Sequence, residues 1–255
     1  MVLTASFMTR GDTEFIVPPV TLNNYRRILN TLHLEVFWSS AYLAAGTTIF
    51  CLIPGYPFAY CLARFAGRYR RVLLLLVIIP FWTSSLIRSY AMIIILKSKG
   101  LLNGLLLWLG VVDQPLSLLY TDVAVLAGLT YSLFPFMVLP LYASIEKLDM
   151  RLVEAARDLG AGRLQIMARI ILPLTLPGIV AGCMLVFLPA LGMFYIPDLL
   201  GGAKTLLVGN LIKNQFLSAR DWPFGSALSV MLTAIMVVLL LVYRAAVRRT
   251  RRGVL

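Results

Sequence analysis

Long uncharged apolar runs, separated by short charged ones, set the pattern of this chain. Between Glu35 and Arg64 lie 28 residues without a charge, between Asp122 and Glu146 23, between Arg169 and Asp198 28, and between Asp221 and Arg244 22. A fifth run, Val72 to Leu96, is interrupted only by Arg88. About 20 apolar residues carry a helix across the hydrocarbon core of a bilayer, so each run predicts one membrane-spanning helix. The expected fold is all-α integral membrane, with five transmembrane helices in a single domain over residues 1–255. In the second run, Pro80 stands beside Thr83, Ser84 and Ser85, hydroxyls able to satisfy backbone groups freed in a broken helix. With 60% hydrophobic and 13% charged residues, the chain has too few polar groups to cover a water-facing surface.

Two segments between the runs have patterns of their own. Gly100 to Val112 (GLLNGLLLWLGVV) is uncharged but too short to cross. It predicts a helix in the membrane interface with Trp108 at headgroup depth; a part in a docking face or outer gate is the second reading. Residues 146–172 instead carry five basic and four acidic residues. As a helix, Leu148 to Leu159 places Leu148, Leu152, Ala155 and Leu159 on one face, toward the spans. Glu154 and Asp158 then lie one turn apart beside Arg151 and Arg157, small Ala155 and Ala156 permit close approach, and Gly160 ends the helix. A second helix begins near Gly162 with Leu164, Met167, Ala168 and Ile171 on one face, and Pro173 and Pro177 mark a bend into the next span, which ends near Pro197. A hairpin lying on lipid headgroups ordinarily has a basic polar face. This one is nearly neutral, which suits a protein partner of mixed charge better.

The net charge of +12 raises the question of nucleic acid, and its distribution answers it. Fourteen basic residues follow the first, third and fifth runs; eight lie on the other side. Basic residues near span ends stay cytoplasmic, so the charge reads as topology: the 146–172 loop and the C-terminus are expected inside, and no nucleic-acid partner is implied. Residues 1–35 then lie outside. MVLTASFM is too short to span and has no basic region or cleavage site. A further upstream span, with Met1 to Phe7 as its outer end, is therefore expected; unaided translocation of a short tail is the alternative. Cys51, Cys61 and Cys183 sit in or at the ends of runs without paired spacing, and read as small packing residues. One histidine, His33, offers no metal set.

Glu154-Ala155-Ala156, three residues, Gly160, nine residues, then Ile170-Ile171-Leu172-Pro173 match the EAA---G---------I-LP signature. On these residues the chain resembles bacterial ABC importer permeases. PFWTSSLIRSY (Pro80 to Tyr90), KGLLNGLLLWLGVVD (Lys99 to Asp113), LPLYASIEKLD (Leu139 to Asp149), GGAKTLLVGN (Gly201 to Asn210) and RDWPFGSA (Arg220 to Ala227) extend the likeness, over roughly residues 10–250, to spermidine/putrescine permeases of the PotB type. The departure is at the start, where the family's first of six spans is almost wholly lacking. The resemblance implies a bacterial inner-membrane subunit with no catalytic role and no cofactor of its own, ATP and Mg being bound by a partner. The implied partners are a PotC-type second permease, a PotA-type ATPase dimer and a PotD-type periplasmic polyamine-binding protein, besides membrane lipid. It also implies that the loop is a coupling helix seated in the ATPase. Glu154 and Arg157 would make polar contacts there, Ala155, Ala156 and Leu159 close packing, Gly160 the turn, and Ile170, Leu172 and Pro173 the link to the next span. The outer segments Ala203 to Phe216 and Arg220 to Phe224 would face the binding protein.

A polyamine path requires carboxylates for ammonium groups and aromatic faces for cation–π contact. Asp198, with Phe194 and Tyr195 before it, is the leading candidate, against an ordinary solvated residue at a span end. Trp82, Tyr90 and Tyr131 read either as path aromatics or as interface anchors. Arg88 inside a run either snorkels outward or faces the protein interior in a pairing or gating role. A secondary transporter would need its own intramembrane coupling site, and a membrane-embedded enzyme a nucleophile or metal constellation; no acidic pair or histidine cluster within the runs supplies either.

Overall fold

The computed structural model describes residues 1–11, 16–18, 20–65, 67–202 and 205–252, with side chains as far as 245. Ala203 and Lys204, at the start of one expected outer segment, lie outside the described residues, as do the side chains of Arg248, Arg249, Arg251 and Arg252. The described elements are helical, apart from one isolated bridge between Thr9 and Val17. In chain order they are α1 (Val2–Ala5), α2 (Asn23–Ile28), α3 (Thr31–Arg64), α4 (Arg70–Ile78), α5 (Ser85–Leu96), α6 (Leu101–Trp108), α7 (Asp122–Glu146), α8 (Met150–Asp158), α9 (Arg163–Ile166), α10 (Leu172–Gly192), α11 (Val208–Leu217) and α12 (Trp222–Arg252).

Among the described residues, five stretches are long and apolar enough to cross a membrane: Thr31–Arg64, Ser85–Trp108, Asp122–Glu146, Arg163–Gly192 and Trp222–Ala245. The second differs from the expected Val72 to Leu96. Helix α4 passes into a 3-10 turn at Ile79–Trp82, and Thr83 is extended (φ −91°, ψ 146°) before α5 begins. Pro80 supplies no N–H, and the Thr83 hydroxyl donates to its carbonyl at 2.9 Å, so a side chain takes over where the helix breaks. The chain then turns tightly between α5 and α6, where the Gly100 N–H donates to the Lys97 carbonyl at 2.7 Å. Asn103 fastens that turn. It is buried, its Nδ2 donates to the carbonyls of Lys97 (3.2 Å) and Leu116 (2.9 Å), and its Oδ1 accepts from the Leu116 N–H (2.9 Å). Trp108 at the end of α6 is exposed.

Pro173 and Pro177, expected to mark a bend, fall within a helical stretch. Both prolines lie inside α10, and the turn before them, Met167–Ile171, is π-helical. With α9 and the π turn running on into α10 as one stretch, Arg163–Gly192, both prolines stand in its interior, where each removes an N–H from the ladder. This helix ends at Gly192, short of Pro197, and a π-helical turn at Pro197–Gly201 follows.

The chain forms two compact units, one of Met1–Gly46, Ser85–Leu129 and Leu188–Leu255, the other of Thr47–Ser84 and Thr130–Phe187. In the first, Leu43, Leu96, Val125, Leu129, Ile196, Leu200 and Leu207 form one apolar core, and Ile28, Leu211, Phe224 and Leu228 another. In the second, α7 and α10 meet closely: a Cβ on Gly178 would lie 2.3 Å from Ser144 Cβ and 2.9 Å from the Pro140 carbonyl oxygen. Small residues at such crossings let helices pack without a hydrophobic driving force between them. Cys51 is buried there with its thiol 3.6 Å from the Thr130 carbonyl; all three cysteines are free thiols.

Candidate functional site

The loop between the third and fourth long helices is held at its N-terminal end. Arg64, the last residue of α3, donates through Nη2 to the carbonyls of Ile145 (2.7 Å) and Leu148 (3.0 Å), satisfying acceptors that the end of α7 leaves open. Arg70 on α4 pairs with Glu146 and donates to the Tyr142 hydroxyl. The Asp149 carboxylate accepts from the Arg151 N–H at 3.0 Å and caps α8. At the other end of α8, Gly160 has φ +80°, the left-handed conformation that ends a helix without a Cβ clash. The Gln165 side chain accepts from the Gly162 N–H at 3.2 Å as α9 begins. The two expected short helices are therefore present, joined at the expected glycine.

Their faces are the expected ones only in part: Leu148, Met167 and Ile171 turn inward as expected, and the others do not. The inner cluster is Leu148, Val153, Ile166 and Ile171, packed with Tyr60, Met150, Ala156, Ala161 and Met167. Leu152, placed by the periodicity toward the spans, is 48% exposed, Leu159 88% and Leu164 85%; Ala155 and Ala168 are exposed as well. The reason is that α8 is apolar at adjacent positions, Leu152 and Val153, and Ala155 and Ala156, so two faces compete. The face that closes on Tyr60, Ile166 and the π turn at Met167–Ile171 takes Val153 and Ala156. Glu154, Arg157 and Gly160 are exposed beside the outward leucines. The signature residues thus divide: Ala156 and Ile170 are half-buried, while Glu154, Ala155, Arg157, Leu159, Gly160, Leu172 and Pro173 are exposed. The outer face combines mixed charge with three large apolar side chains, a composition that favours a protein surface over lipid headgroups.

Of the path candidates, the structure brings together Phe194, Tyr195 and Asp198. The Phe194 and Tyr195 rings meet edge to face at 6.1 Å. Asp198, at the start of the π-helical turn, pairs with Lys213 of α11 and accepts from Asn210 Nδ2. Asn210 also donates to the Phe194 carbonyl at 2.9 Å, and Lys213 Nζ lies 5.9 Å from the Phe194 ring centre. Asp198 is not a solitary solvated carboxylate; it sits in a built cluster with a cation already in it. Trp82, Tyr90 and Tyr131 are exposed, Trp82 at the end of the 3-10 turn that breaks the second run. Arg88 is half-buried, with Nε and Nη1 shielded from solvent. In the segment Arg220 to Phe224, expected outside, Asp221 is buried and turned to its own chain. It pairs with Arg27 at 3.0 Å and accepts from the Phe224 N–H at 3.2 Å at the start of α12, while Arg27 lies over the Phe224 ring at 4.1 Å. The inter-helix roles of Arg64, Arg70, Asn103 and Lys213 escape a reading of the sequence. Each is a single polar residue whose partner is distant in the chain; the basic ones register only as topology charges.

Five long apolar helices, with a charge-mixed helical hairpin anchored between the third and fourth, describe the membrane-embedded subunit of a transport system. Residues 55–254 match the family of binding-protein-dependent transport system inner membrane components, and the chain belongs to that family. It is 55% identical over 254 residues to the spermidine/putrescine transport system permease protein PotB of Escherichia coli, covering 100% of this chain and 92% of that one. The PotB of Haemophilus influenzae is 53% identical over 254 residues, covering 100% of this chain and 89% of its own length. Among solved structures, the bacterial alginate ABC transporter in complex with alginate pentasaccharide-bound periplasmic protein contains a chain of the same fold. The TM-score is 0.75 at 18% identity, over 90% of this chain and 83% of that one.

Proposed function

We propose that this chain is the polyamine permease subunit of an ATP-driven importer for spermidine and putrescine, forming half of the translocation pathway. The observation that carries the reading is identity of 55% sustained over the whole chain with a relative bearing that substrate in its name. The alginate transporter of the same fold binds a loaded periplasmic protein, which supports delivery of substrate here by a polyamine-binding protein. A second permease of the PotC type completes the pathway, and a PotA-type ATPase dimer, holding ATP and Mg, drives it. The motor is gripped through the 146–172 loop on its cytoplasmic face: Leu152, Leu159 and Leu164 supply apolar contact, and Glu154 and Arg157 the charge pairing. Substrate passes the carboxylate and rings at Phe194, Tyr195 and Asp198. The chain itself catalyses nothing. Reconstitution of the complete complex in proteoliposomes tests the reading: ATP hydrolysis should rise when binding protein loaded with spermidine or putrescine is added. Stimulation by an unrelated loaded binding protein, with none by polyamines, would overturn the substrate.

A further inference from the structure

Asp198 holds a primary ammonium, and the ammonium is the protein's own. Lys213 extends from α11 to its carboxylate, with Nζ also 5.9 Å from the Phe194 ring centre. A carboxylate and an aromatic face around one ammonium are the two elements that recognise an alkylamine. The pocket is built, not incidental. Phe194 lies in the two-residue gap where helix α10 has stopped, and its carbonyl accepts from both the Asp198 N–H (3.1 Å) and Asn210 Nδ2 (2.9 Å). Helix α11 is pressed against that gap: a Cβ on Gly209 would stand 2.5 Å from the Gly192 carbonyl oxygen. Asn210 is buried, and its Oδ1 has no hydrogen-bond partner although its Nδ2 contacts Asp198. A buried acceptor of this kind is costly to leave unmade, and beside a carboxylate it adds capacity for a further N–H donor. Broken helices whose freed backbone groups line a polar site are where membrane transporters bind their cargo.

Lysine's side chain is four methylenes ending in an ammonium, the same segment that ends putrescine and one arm of spermidine. We infer that Lys213 is a tethered stand-in for the substrate: it fills the Asp198–Phe194–Asn210 site at rest and is displaced by the aminobutyl end of a passing polyamine. This rests on the polyamine reading above. Exchange of one ammonium for another keeps the Asp198 charge neutralised throughout, so no bare carboxylate is exposed to a low-dielectric path. It also selects against uncharged cargo, which cannot replace Lys213 without stranding Asp198.

Equilibrium binding of radiolabelled putrescine and spermidine to the solubilised complex, without binding protein, tests the exchange. Lys213→Ala should bind both about tenfold more tightly than wild type, the change expected when one charged hydrogen bond no longer has to be broken. Adding Asp198→Asn to Lys213→Ala should abolish the gain. Unchanged or weaker binding by an assembled Lys213→Ala complex, or a gain that survives Asp198→Asn, would overturn the inference. Lys213→Arg covers the case in which the alanine variant does not assemble. A forked guanidinium keeps the ion pair but holds the carboxylate more firmly, so half-saturation for uptake into proteoliposomes should rise severalfold at unchanged complex yield. Wild-type half-saturation in that variant would mean a merely structural bridge. Wild-type complex that takes up no polyamine sinks the underlying reading; normal wild-type uptake with unaltered Lys213→Ala binding sinks only the stand-in.

Discussion

The two charged regions of this chain handle their charges in opposite ways. At Asp198 every formal charge is met inside the fold: Lys213 pairs with it, Asn210 donates to it, and the Phe194 ring faces the cation. At the base of the 146–172 loop Glu146 is likewise met, by Arg70, and Arg64 donates to the carbonyls of Ile145 and Leu148. Yet among the described residues Glu154 and Arg157 form no ion pair, and Leu159 and Leu164 stand beside them almost fully exposed. A region that closes its own electrostatics is arranged to exclude water or to trade partners one for one. A region that fixes its base and leaves its outer face open is, on the docking proposed above, one that a partner covers.

The largest effect that would separate the two is on the open face. Glu154→Lys should leave thermal stability in detergent within about 0.5 kcal/mol of wild type, as for an exposed surface position. Polyamine-stimulated ATP hydrolysis should fall about thirtyfold or more, the scale of an interface hot spot. Normal stimulation would remove Glu154 from the contact. Next, Arg64→Ala strips two carbonyls of their charged donor and should cost about 3 kcal/mol of stability; a variant as stable as wild type would mean that the loop's base is not clamped as described. The face assignment comes third. Val153→Ala should lower stability by about 2 kcal/mol through loss of a buried side chain, whereas Leu152→Ala should change stability little and weaken ATPase co-purification. The reverse pattern would restore the face read from periodicity. Smallest is Arg27→Ala: the buried Asp221 loses its cation but keeps the Phe224 N–H, so the loss should be about 1.5 kcal/mol in the same melts.

Much of the fold was legible because a bilayer imposes it by composition. Runs without charge must become spans, and four of the five lie where the uncharged runs are. The second moved because Pro80 breaks a helix that charge counting cannot see to be broken, and the stretch before Pro173 holds a π turn that no pattern of apolar positions announces. The loop, its two helices and the Gly160 turn were readable from capping chemistry. Which side of α8 faces inward was not. A docking face is itself apolar, so Leu152 and Val153 look alike until the protein's own interior chooses one. The Asp198 cluster was half visible: carboxylate and rings are adjacent in sequence, but Lys213 lies 15 residues further on, beyond a helix break, and registers only as one more basic residue. Asn210 and Asn103 carry no signal at all, being single amides in apolar surroundings whose partners only the fold supplies.

The docking of the loop is tested most directly by a crosslinker placed on its most exposed leucine. With Leu159→Cys in the complete complex, carrying a short photoactivatable reagent, the ATPase subunit should be captured in high yield, and capture should weaken when Glu154→Lys is added. Capture of lipid alone, with the ATPase present and active, would contradict the claim that this face is the seat of the motor.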